Sequence, residues 1–317
     1  MPITDTMRAV IARGYGGPEV LELVQVPIPV PGPGQLLIRV HAATVNPVDL
    51  VTRSGALADA GLMTPRASTG IGWDVAGVVA AVGVGETDVA SPFALGQNVI
   101  GMRDLLDRDL GTYAEYVVLD ACAVALNPGL DAIAAATLPL NGLTALQSLD
   151  LLDLTAGDTL LVTGAAGAVG GFAVELAAAR GLRVLAQASA SDEAFLRAAG
   201  AEWTVPRDAP DLGAAVRALI PGGAHGALDA AGLGMRAVAA VRTRGAYVTV
   251  TGGAPPIPLR GIRVHQQWIS ADGPALARLA TAGLTPRIAD TVALHHAADA
   301  HRRVERGGLR GRVVLTP

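Results

Sequence analysis

Aromatic side chains are scarce in this chain, and cysteine is almost absent. Phe, Trp and Tyr make up 3% of the 317 residues, so Val, Leu, Ile and Ala must supply most of the core. The single cysteine, Cys122, excludes an intrachain disulfide and is interpreted as a small apolar residue among alanines. A reducing cytoplasm fits this cysteine content, and we take it as the expected location.

The sequence also lacks a strong positive charge. It carries 24 Lys and Arg against 28 Asp and Glu, so no basic face is expected to compete for nucleic-acid phosphates. A cluster of five arginines near the C-terminus is interpreted as a solvated helix face and turn: Arg302, Arg303, Arg306, Arg310 and Arg312. We therefore expect no nucleic-acid partner.

No segment is predicted to be a secretory signal or a membrane span. Asp5 and Arg8 interrupt the first turns, and no apolar core follows them. The uncharged stretch from Leu160 to Val174 approaches spanning length, but its close-spaced glycines favour a buried strand, a turn and a helix. We expect no membrane partner.

Short strands and turns dominate the first 120 residues. Strand candidates are Met7 to Ala12, Val20 to Val26 and Leu36 to Ala42, and no helix longer than Pro47 to Thr52 is expected. The apolar run Val75 to Val84, which ends in a turn at 85–88, is interpreted as a buried strand pair. This pattern predicts a barrel-like β domain.

From about Ala132 the pattern changes to alternating strands and helices. Two alanine-rich helical segments, 132–136 and 142–151, precede five strand candidates at 159–163, 183–187, 202–205, 227–230 and 246–251. Helices are predicted between them at 168–179, 192–199, 212–219 and 235–241. Such alternation indicates a doubly wound parallel sheet. A strand at 262–269, helices at 274–281 and 297–305, and a closing strand at 312–315 follow.

A glycine-rich turn joins the first of these strands to its helix. Gly164, Gly167 and Gly170 punctuate the segment, with Ala165-Ala166 in place of the middle residues of the common G-x-G-x-x-G pattern. Glycines at a strand-to-helix turn let backbone amides approach a pyrophosphate, and the helix N-terminus adds positive potential. The context of strand, helix and further alternating units predicts dinucleotide binding.

The next strand indicates which dinucleotide is bound. NAD-preferring folds carry an acidic residue at this strand tip, whereas here Gln187 is followed by Ala188-Ser189-Ala190-Ser191. Small hydroxyls leave room and donors for a 2′-phosphate, which favours NADPH. Asp192 argues against this if it faces the phosphate, and Ser191 or Asp192 could instead simply begin the following helix.

At this point the chain resembles the medium-chain dehydrogenase/reductase superfamily, in its zinc-independent quinone oxidoreductase and enoyl reductase branch. The most specific segments are Asn46-Pro47-Val48-Asp49, Gly72-Trp73-Asp74-Val75-Ala76-Gly77-Val78-Val79, Leu138-Pro139 with Gly142-Leu143-Thr144-Ala145, and the glycine turn. The resemblance implies an α/β protein in which a Rossmann doubly wound parallel sheet is inserted in a GroES-like, mostly β catalytic domain. The expected boundaries are 1–123, 124–263 and 264–317.

The resemblance also bears on metal binding. The positions that match the catalytic zinc ligands of related alcohol dehydrogenases hold Asn46, Trp73 and Asn141, none of which is a thiolate or imidazole. The four-cysteine structural zinc lobe is missing, and the six histidines lack metal-ligand spacing. We therefore expect no zinc.

Several site residues are implied by the same resemblance. Asn46 is expected to face the nicotinamide ribose or the substrate oxygen and is the one candidate catalytic residue, although it could instead satisfy the turn before Pro47. A Tyr common shortly after this Asn is replaced by Val51, which leaves water as the expected proton source. Arg207, beside Asp208, either supplies positive charge to the cofactor or is an ordinary loop arginine. The expected cofactor contacts are Asn46, Thr144, Gly164, Ala166, Gly167, Ala168, Val169, Gly170, Ser189, Ser191, Arg207, Gly252 and Arg310.

The sequence therefore predicts an NADPH-dependent reductase of quinones or of the C=C bond in α,β-unsaturated carbonyls. Two alternatives stay open: an enoyl reductase of a polyketide-type biosynthetic intermediate, and a dinucleotide-binding module with little turnover. A homodimer is also expected, because the strand at 262–269 would leave an unpaired edge that relatives pair across a two-fold axis.

Overall fold

Two units divide the chain in the computed structural model, which describes residues 6–84 and 91–317. One unit combines the described residues up to Leu140 with Ser270–Pro317, and the other is Asn141–Ile269. These boundaries lie later than those expected from the sequence. The differences have a physical reason, since Val124–Leu126 pairs with a strand of the first unit and Arg263–Gln266 extends the sheet of the second.

The strands are numbered in chain order. They are β1 Thr6–Arg13, β2 Leu21–Pro27, β3 Gln35–Val45, β4 Ser68–Gly70, β5 Asp74–Val82, β6 Asn98–Met102, β7 Tyr116–Asp120, β8 Val124–Leu126, β9 Thr159–Thr163, β10 Arg183–Ala188, β11 Ala201–Pro206, β12 Ala224–Asp229, β13 Val241–Thr249, β14 Arg263–Gln266, β15 Ile288–Ala293 and β16 Arg312–Thr316.

The α-helices are short, apart from one of 15 residues. They are α1 Pro47–Ser54, α2 Ala56–Asp59, α3 Ala132–Ala135, α4 Leu138–Leu152, α5 Ala168–Ala179, α6 Glu193–Ala198, α7 Leu212–Leu219, α8 Met235–Ala240, α9 Gly273–Thr281 and α10 Ala297–Arg306. Among the described residues, no helix is long and apolar enough to cross a membrane.

The first unit is built from mainly antiparallel sheets. A three-stranded sheet has the order β2-β1-β4, and a seven-stranded sheet has the order β15-β16-β3-β5-β6-β8 with β7 also paired to β3. Its core is aliphatic, with Leu36, Ile38 and Val75 fully buried around Tyr113. This agrees with the scarcity of aromatic residues. Cys122 does not contribute to that core, because it is exposed.

The second unit is a six-stranded parallel sheet in the order β11-β10-β9-β12-β13-β14. Every residue of β9 is buried, as expected for a central strand covered on both faces. In its middle, Leu161 lies opposite Leu185 of β10 and Ala227 of β12. Side-chain caps begin some of the helices; Asp211, for example, accepts a hydrogen bond from the Ala214 amide at 2.9 Å.

The predicted fold class is confirmed, with a GroES-like β domain and a Rossmann-like parallel sheet. Strand β9 and helices α5 and α7 have the predicted bounds. The prediction of a strand pair from Val75 to Val84 is wrong in detail, because Asp74–Val82 is one continuous strand between β3 and β6. The turn expected at 85–88 lies outside the described residues.

Candidate active site

The glycine turn follows β9 directly and leads into α5. Gly164 has a positive φ of 59°, which favours glycine, and its carbonyl accepts a hydrogen bond from the Gly167 amide at 2.9 Å. Gly167 precedes the first residue of α5 and has extended backbone angles. Ala168, Val169 and Gly170 then form the first helical turn, where amide groups have no intrahelical acceptor.

Gly170 is required for the close approach of this helix to the turn. A Cβ built there would lie 2.2 Å from the Gly164 carbonyl oxygen and 2.7 Å from the Ala165 Cα. At Gly167 the nearest atom to such a Cβ is the same oxygen at 3.2 Å, so a side chain there requires only a small shift of that carbonyl. A tight backbone turn below a helix N-terminus fits the pyrophosphate of a dinucleotide.

The tip of β10 carries the two predicted serines. The Ser189 hydroxyl donates to Asp192 Oδ2 at 2.6 Å and lies 3.1 Å from the Ser191 hydroxyl. Asp192 is buried, with 4% of its surface exposed, whereas Ser191 is exposed. The acid is therefore turned into the protein and bonded to Ser189.

Arg207 lies at the same end of the sheet, immediately after β11. Its amide donates to the Ala188 carbonyl at 2.9 Å, and its carbonyl accepts from the Gln187 side chain at 3.3 Å. These bonds fix the Arg207 backbone beside the tip of β10, and the residue is exposed. The structure thus brings Arg207 and the serine segment together.

The remaining predicted cofactor contacts are distributed over both units. Ala166 belongs to the glycine turn, Thr144 is buried on α4, and Gly252 is exposed after β13, all in the second unit. Asn46 and Arg310 belong to the first unit, and Arg310 is exposed just before β16.

Asn46 is held by a buried polar cluster in the first unit. The side-chain nitrogen Nδ2 of Asn46 donates to Asp74 Oδ2 and to the Thr44 hydroxyl, both at 3.0 Å, and Asn46 has no exposed surface. The Thr44 hydroxyl donates in turn to Asp74 Oδ1 at 2.6 Å. These contacts fix one orientation of the Asn46 side chain.

Asp49 ties the start of α1 to neighbouring backbone. Its side chain accepts hydrogen bonds from the backbone amide of Asn46 at 2.8 Å, from the backbone amide of Gly72 at 3.0 Å and from the Tyr113 hydroxyl at 3.2 Å. The spacing of Asn46 and Asp49 is that of a helix capping box. Asp49 therefore stabilises the backbone that presents Asn46.

A chain of polar contacts continues from Asp49 through the unit. The Tyr113 hydroxyl lies 3.3 Å from Nε2 of His301, and the Arg53 guanidinium lies 3.2 Å from Nδ1 of the same ring. Since arginine only donates, Nδ1 must accept, which places the imidazole proton on Nε2, facing Tyr113. Arg53 also donates to Glu305, whose side chain is 38% exposed, so the chain reaches the surface.

Burial sets the ionisation of this cluster. It raises the pKa of Asp49 to about 8, although the hydrogen bond from the Asn46 amide opposes the shift. Burial likewise raises the pKa of Asp74 to about 6 against the hydrogen bonds from Thr44. Burial, with the nearby charge of Arg53, lowers the pKa of His301 to about 3, which agrees with a neutral imidazole.

Sequence reasoning missed most of this cluster. Asp49 and Asp74 stood inside quoted motifs without a role, and the capping-box spacing was a usable signal for Asp49. Tyr113 and His301 come from distant segments and carried no such signal. Arg312, assigned to a solvated arginine cluster, is instead close enough to Asp74 and Asp49 for their charges to oppose the lowering of its pKa by burial. That assignment was therefore wrong for Arg312.

The three positions implied to match zinc ligands offer no suitable donor set. The Asn46 amide nitrogen is bonded to Thr44 and Asp74, Trp73 has only an indole nitrogen, and Asn141 carries an amide. Within residues 6–84 and 91–317, no group of three or more His, Cys, Asp or Glu is arranged to hold a metal ion.

Two family models match the chain. Residues 32–129 match the alcohol dehydrogenase GroES-like domain, and residues 168–273 match a model described as zinc-binding dehydrogenase. The second segment contains two histidines and no cysteine. The name of that model therefore says nothing about a metal in this chain.

Similar proteins include reductases and alcohol dehydrogenases. The chain is 29% identical to an NADPH-dependent alkenal/one oxidoreductase of Arabidopsis thaliana, over 99% of this chain and 81% of the relative. It is 30% identical to alcohol dehydrogenase 2 of Caenorhabditis elegans, over 99% of this chain and 97% of the relative. The solved quinone oxidoreductase of Coxiella burnetii superposes with a TM-score of 0.84 at 29% identity, covering 98% and 99% of the two chains.

Proposed function

The chain belongs to the medium-chain dehydrogenase/reductase superfamily of oxidoreductases. On that premise we propose that it is an NADPH-dependent reductase of quinones or of the C=C bond in α,β-unsaturated carbonyl compounds, acting without a metal. One observation carries the choice among members of the superfamily. The chain keeps the glycine turn. Where zinc enzymes have metal ligands, it has the side-chain amides of Asn46 and Asn141 and the indole of Trp73. Relatives named alkenal/one and quinone oxidoreductases support the same choice.

Residues of the second unit are proposed to hold the cofactor. The first-turn amides of α5, from Ala168 to Gly170, would donate to the pyrophosphate, and the helix N-terminus would add positive potential. The Ser191 hydroxyl and the Arg207 guanidinium would bind the 2′-phosphate through charge-assisted hydrogen bonds, whereas the Ser189 hydroxyl already donates to Asp192. NADPH, when bound, supplies the hydride.

A reductase that uses no Lewis acid is limited in the acceptors that it can reduce. A carbon conjugated to a carbonyl, or a quinone ring, delocalises the negative charge that forms, so modest hydrogen bonding is sufficient. Asn46 remains the residue that we assign to the catalytic site, but Thr44 and Asp74 take both hydrogens of its side-chain NH₂ group, so the donor to the acceptor oxygen is proposed to be water. Val51 on α1 is 38% exposed and cannot donate a proton, which supports water as the proton source.

Steady-state oxidation of NADPH over a panel of enones, enals and quinones tests the proposal. We expect turnover with conjugated acceptors and none with saturated ketones. An enzyme that binds NADPH but turns over no acceptor in the panel would instead be a dinucleotide-binding module.

Cofactor preference is expected to depend on Arg207. Replacing Arg207 with alanine removes a cation beside the proposed 2′-phosphate site, so we expect the KM for NADPH to rise about tenfold while the KM for NADH stays unchanged. Arg278→Ala, an exposed arginine of the first unit, is the matched control and should change neither value. Equal effects of Arg207→Ala on both cofactors would contradict the assignment.

The proposed oligomer is a homodimer formed through the segment 262–269. Strand β14 lies at one end of the six-stranded order, and Trp268 just after it is 56% exposed. Pairing two such edges would continue the sheet across a two-fold axis. Light scattering at micromolar concentration should give twice the chain mass of 32.0 kDa, and a monomer mass would reject the dimer.

A further inference from the structure

Asp229 is a fully buried carboxylate at the carboxyl end of β12. The sheet order places β12 next to β9, with β10 and β11 on one side and β13 and β14 on the other. The connections reverse direction between β9 and β12, and in open parallel sheets ligands bind outside the carboxyl ends of the strands at such a point. Asp229 thus stands where the proposed cofactor site must lie, and none of the roles assigned above uses it.

Five donors surround this carboxylate. Two are hydroxyls, from Thr163 at 2.6 Å and Tyr247 at 2.7 Å. Three are backbone amides of the loop 230–234, from Ala231 at 3.3 Å, Leu233 at 3.1 Å and Gly234 at 2.8 Å. A carboxylate that accepts this many bonds orders every segment that donates to it.

The loop that wraps Asp229 lies against the glycine turn. A Cβ built on Gly164 would lie 3.3 Å from the Ala230 carbonyl and 3.3 Å from the Ala231 side chain. The Ala231 amide also lies 3.2 Å from the hydroxyl of Thr163, the last residue before the turn. Asp229 and Thr163 therefore connect the loop 230–234 to the segment that begins the dinucleotide turn.

We propose that Asp229 is a positioning residue for the cofactor: through Thr163 and the amides of the loop 230–234, it holds that loop and the glycine turn in their binding arrangement before the cofactor arrives. This inference rests on the proposed dinucleotide-dependent function and adds a residue that touches no cofactor atom. A site ordered in advance binds more tightly because no ordering cost falls on the binding step.

Asparagine at position 229 separates the charge from the shape. It keeps the volume, but its NH₂ group would face loop amides that are themselves donors, so part of the loop loses its acceptor. We expect Asp229→Asn to weaken NADPH binding about tenfold, measured by fluorescence titration or calorimetry. The KM for NADPH should rise by a similar factor, while kcat at saturating NADPH changes less than threefold.

Two threonines of β9 provide a matched pair of variants. Thr163 bonds Asp229 at the carboxyl end of the strand, and Thr159 bonds His225 of the same neighbouring strand at the amino end, with Oγ1 and Nδ1 2.7 Å apart. Both are buried. Both variants should lower the melting temperature by similar amounts. Thr163→Val should also weaken NADPH binding several-fold, whereas Thr159→Val should leave the affinity unchanged.

The outcomes distinguish this inference from the function it rests on. If the unmodified protein does not bind NADPH, the proposed function fails first. If it binds NADPH and both Asp229→Asn and Thr163→Val, folded, retain its affinity, Asp229 is only structural and the inference is wrong. Should Asp229→Asn not fold, the comparison of Thr163→Val with Thr159→Val decides alone.

Discussion

Replacing Gly167 with valine is expected to weaken NADPH binding roughly a hundredfold while the protein stays folded. The φ of −77° at this position suits any residue, and a Cβ there would meet only the Gly164 carbonyl oxygen, at 3.2 Å. The added side chain would occupy the space that we assign to the pyrophosphate oxygens. Losing several charge-assisted bonds corresponds to about 3 kcal/mol of binding free energy. Cofactor titration and thermal unfolding measure the two quantities separately.

Two neighbouring glycines complete this test. Gly170→Val should cost on the order of 3 kcal/mol or more of stability, because its Cβ would lie 2.2 Å from the Gly164 carbonyl oxygen, and should abolish cofactor binding as well. Gly171→Ala is the control, since its Cβ would make only ordinary contacts with Phe195, the nearest at 3.5 Å. A folded Gly167→Val protein with unchanged affinity for NADPH would show that the cofactor binds elsewhere.

The second large effect concerns stability as a function of pH. The folded-state pKa of Asp49 is raised to about 8 by burial, above that of an unfolded aspartate, so its stabilising contribution is complete at low pH and is lost as pH rises through 8. The stabilising contribution of Asp74, whose folded-state pKa is raised to about 6, is likewise lost as pH rises through that value. His301 acts in the opposite sense, because its lowered pKa destabilises the fold only as pH falls from about 6.5 towards 3.

Between pH 6.5 and 8, Asp49 is therefore the dominant titrating group of this cluster. We expect the free energy of unfolding to fall by about 2 kcal/mol across that interval, following the linkage slope of about 1.4 kcal/mol per pH unit for one proton. Asp49→Asn should remove most of this decline, and Asp59→Asn, an exposed carboxylate of α2, should leave it intact. Denaturant titrations of the three proteins at several pH values give the answer. A flat or rising profile in the unmodified protein would contradict a raised pKa at Asp49.

The fold was largely predictable because hydrophobic period and glycine placement are local signals. The uninterrupted apolar run of β9 and the glycines that follow it locate the nucleotide turn without any long-range information. The strands β4, β6, β7, β8 and β15 were not predicted. The predicted strand pair at Val75 failed because the glycine that interrupts its apolar run, Gly77, lies inside β5, where it packs closely on the Arg39 carbonyl of β3.

The candidate site was predictable only where its residues lie in one segment. Gly164 to Gly170, Ser189 and Ser191 follow the ends of predicted strands, so topology alone places them at one edge of the sheet. Arg207 joins them because β11 pairs with β10. The polar cluster that includes Asn46 could not be found in this way, because Asp74, Tyr113 and His301 join it through antiparallel pairing and helix packing across more than two hundred residues of sequence.

Transfer of deuterium from NADPH labelled at C4 to an enone tests the central claim most directly, when protein treated with a chelator is compared with untreated protein. We expect one deuterium on the β-carbon of the saturated carbonyl product, at equal rates in both samples. Deuterium on the carbonyl carbon of an alcohol product, or activity that chelation abolishes and zinc restores, would contradict it.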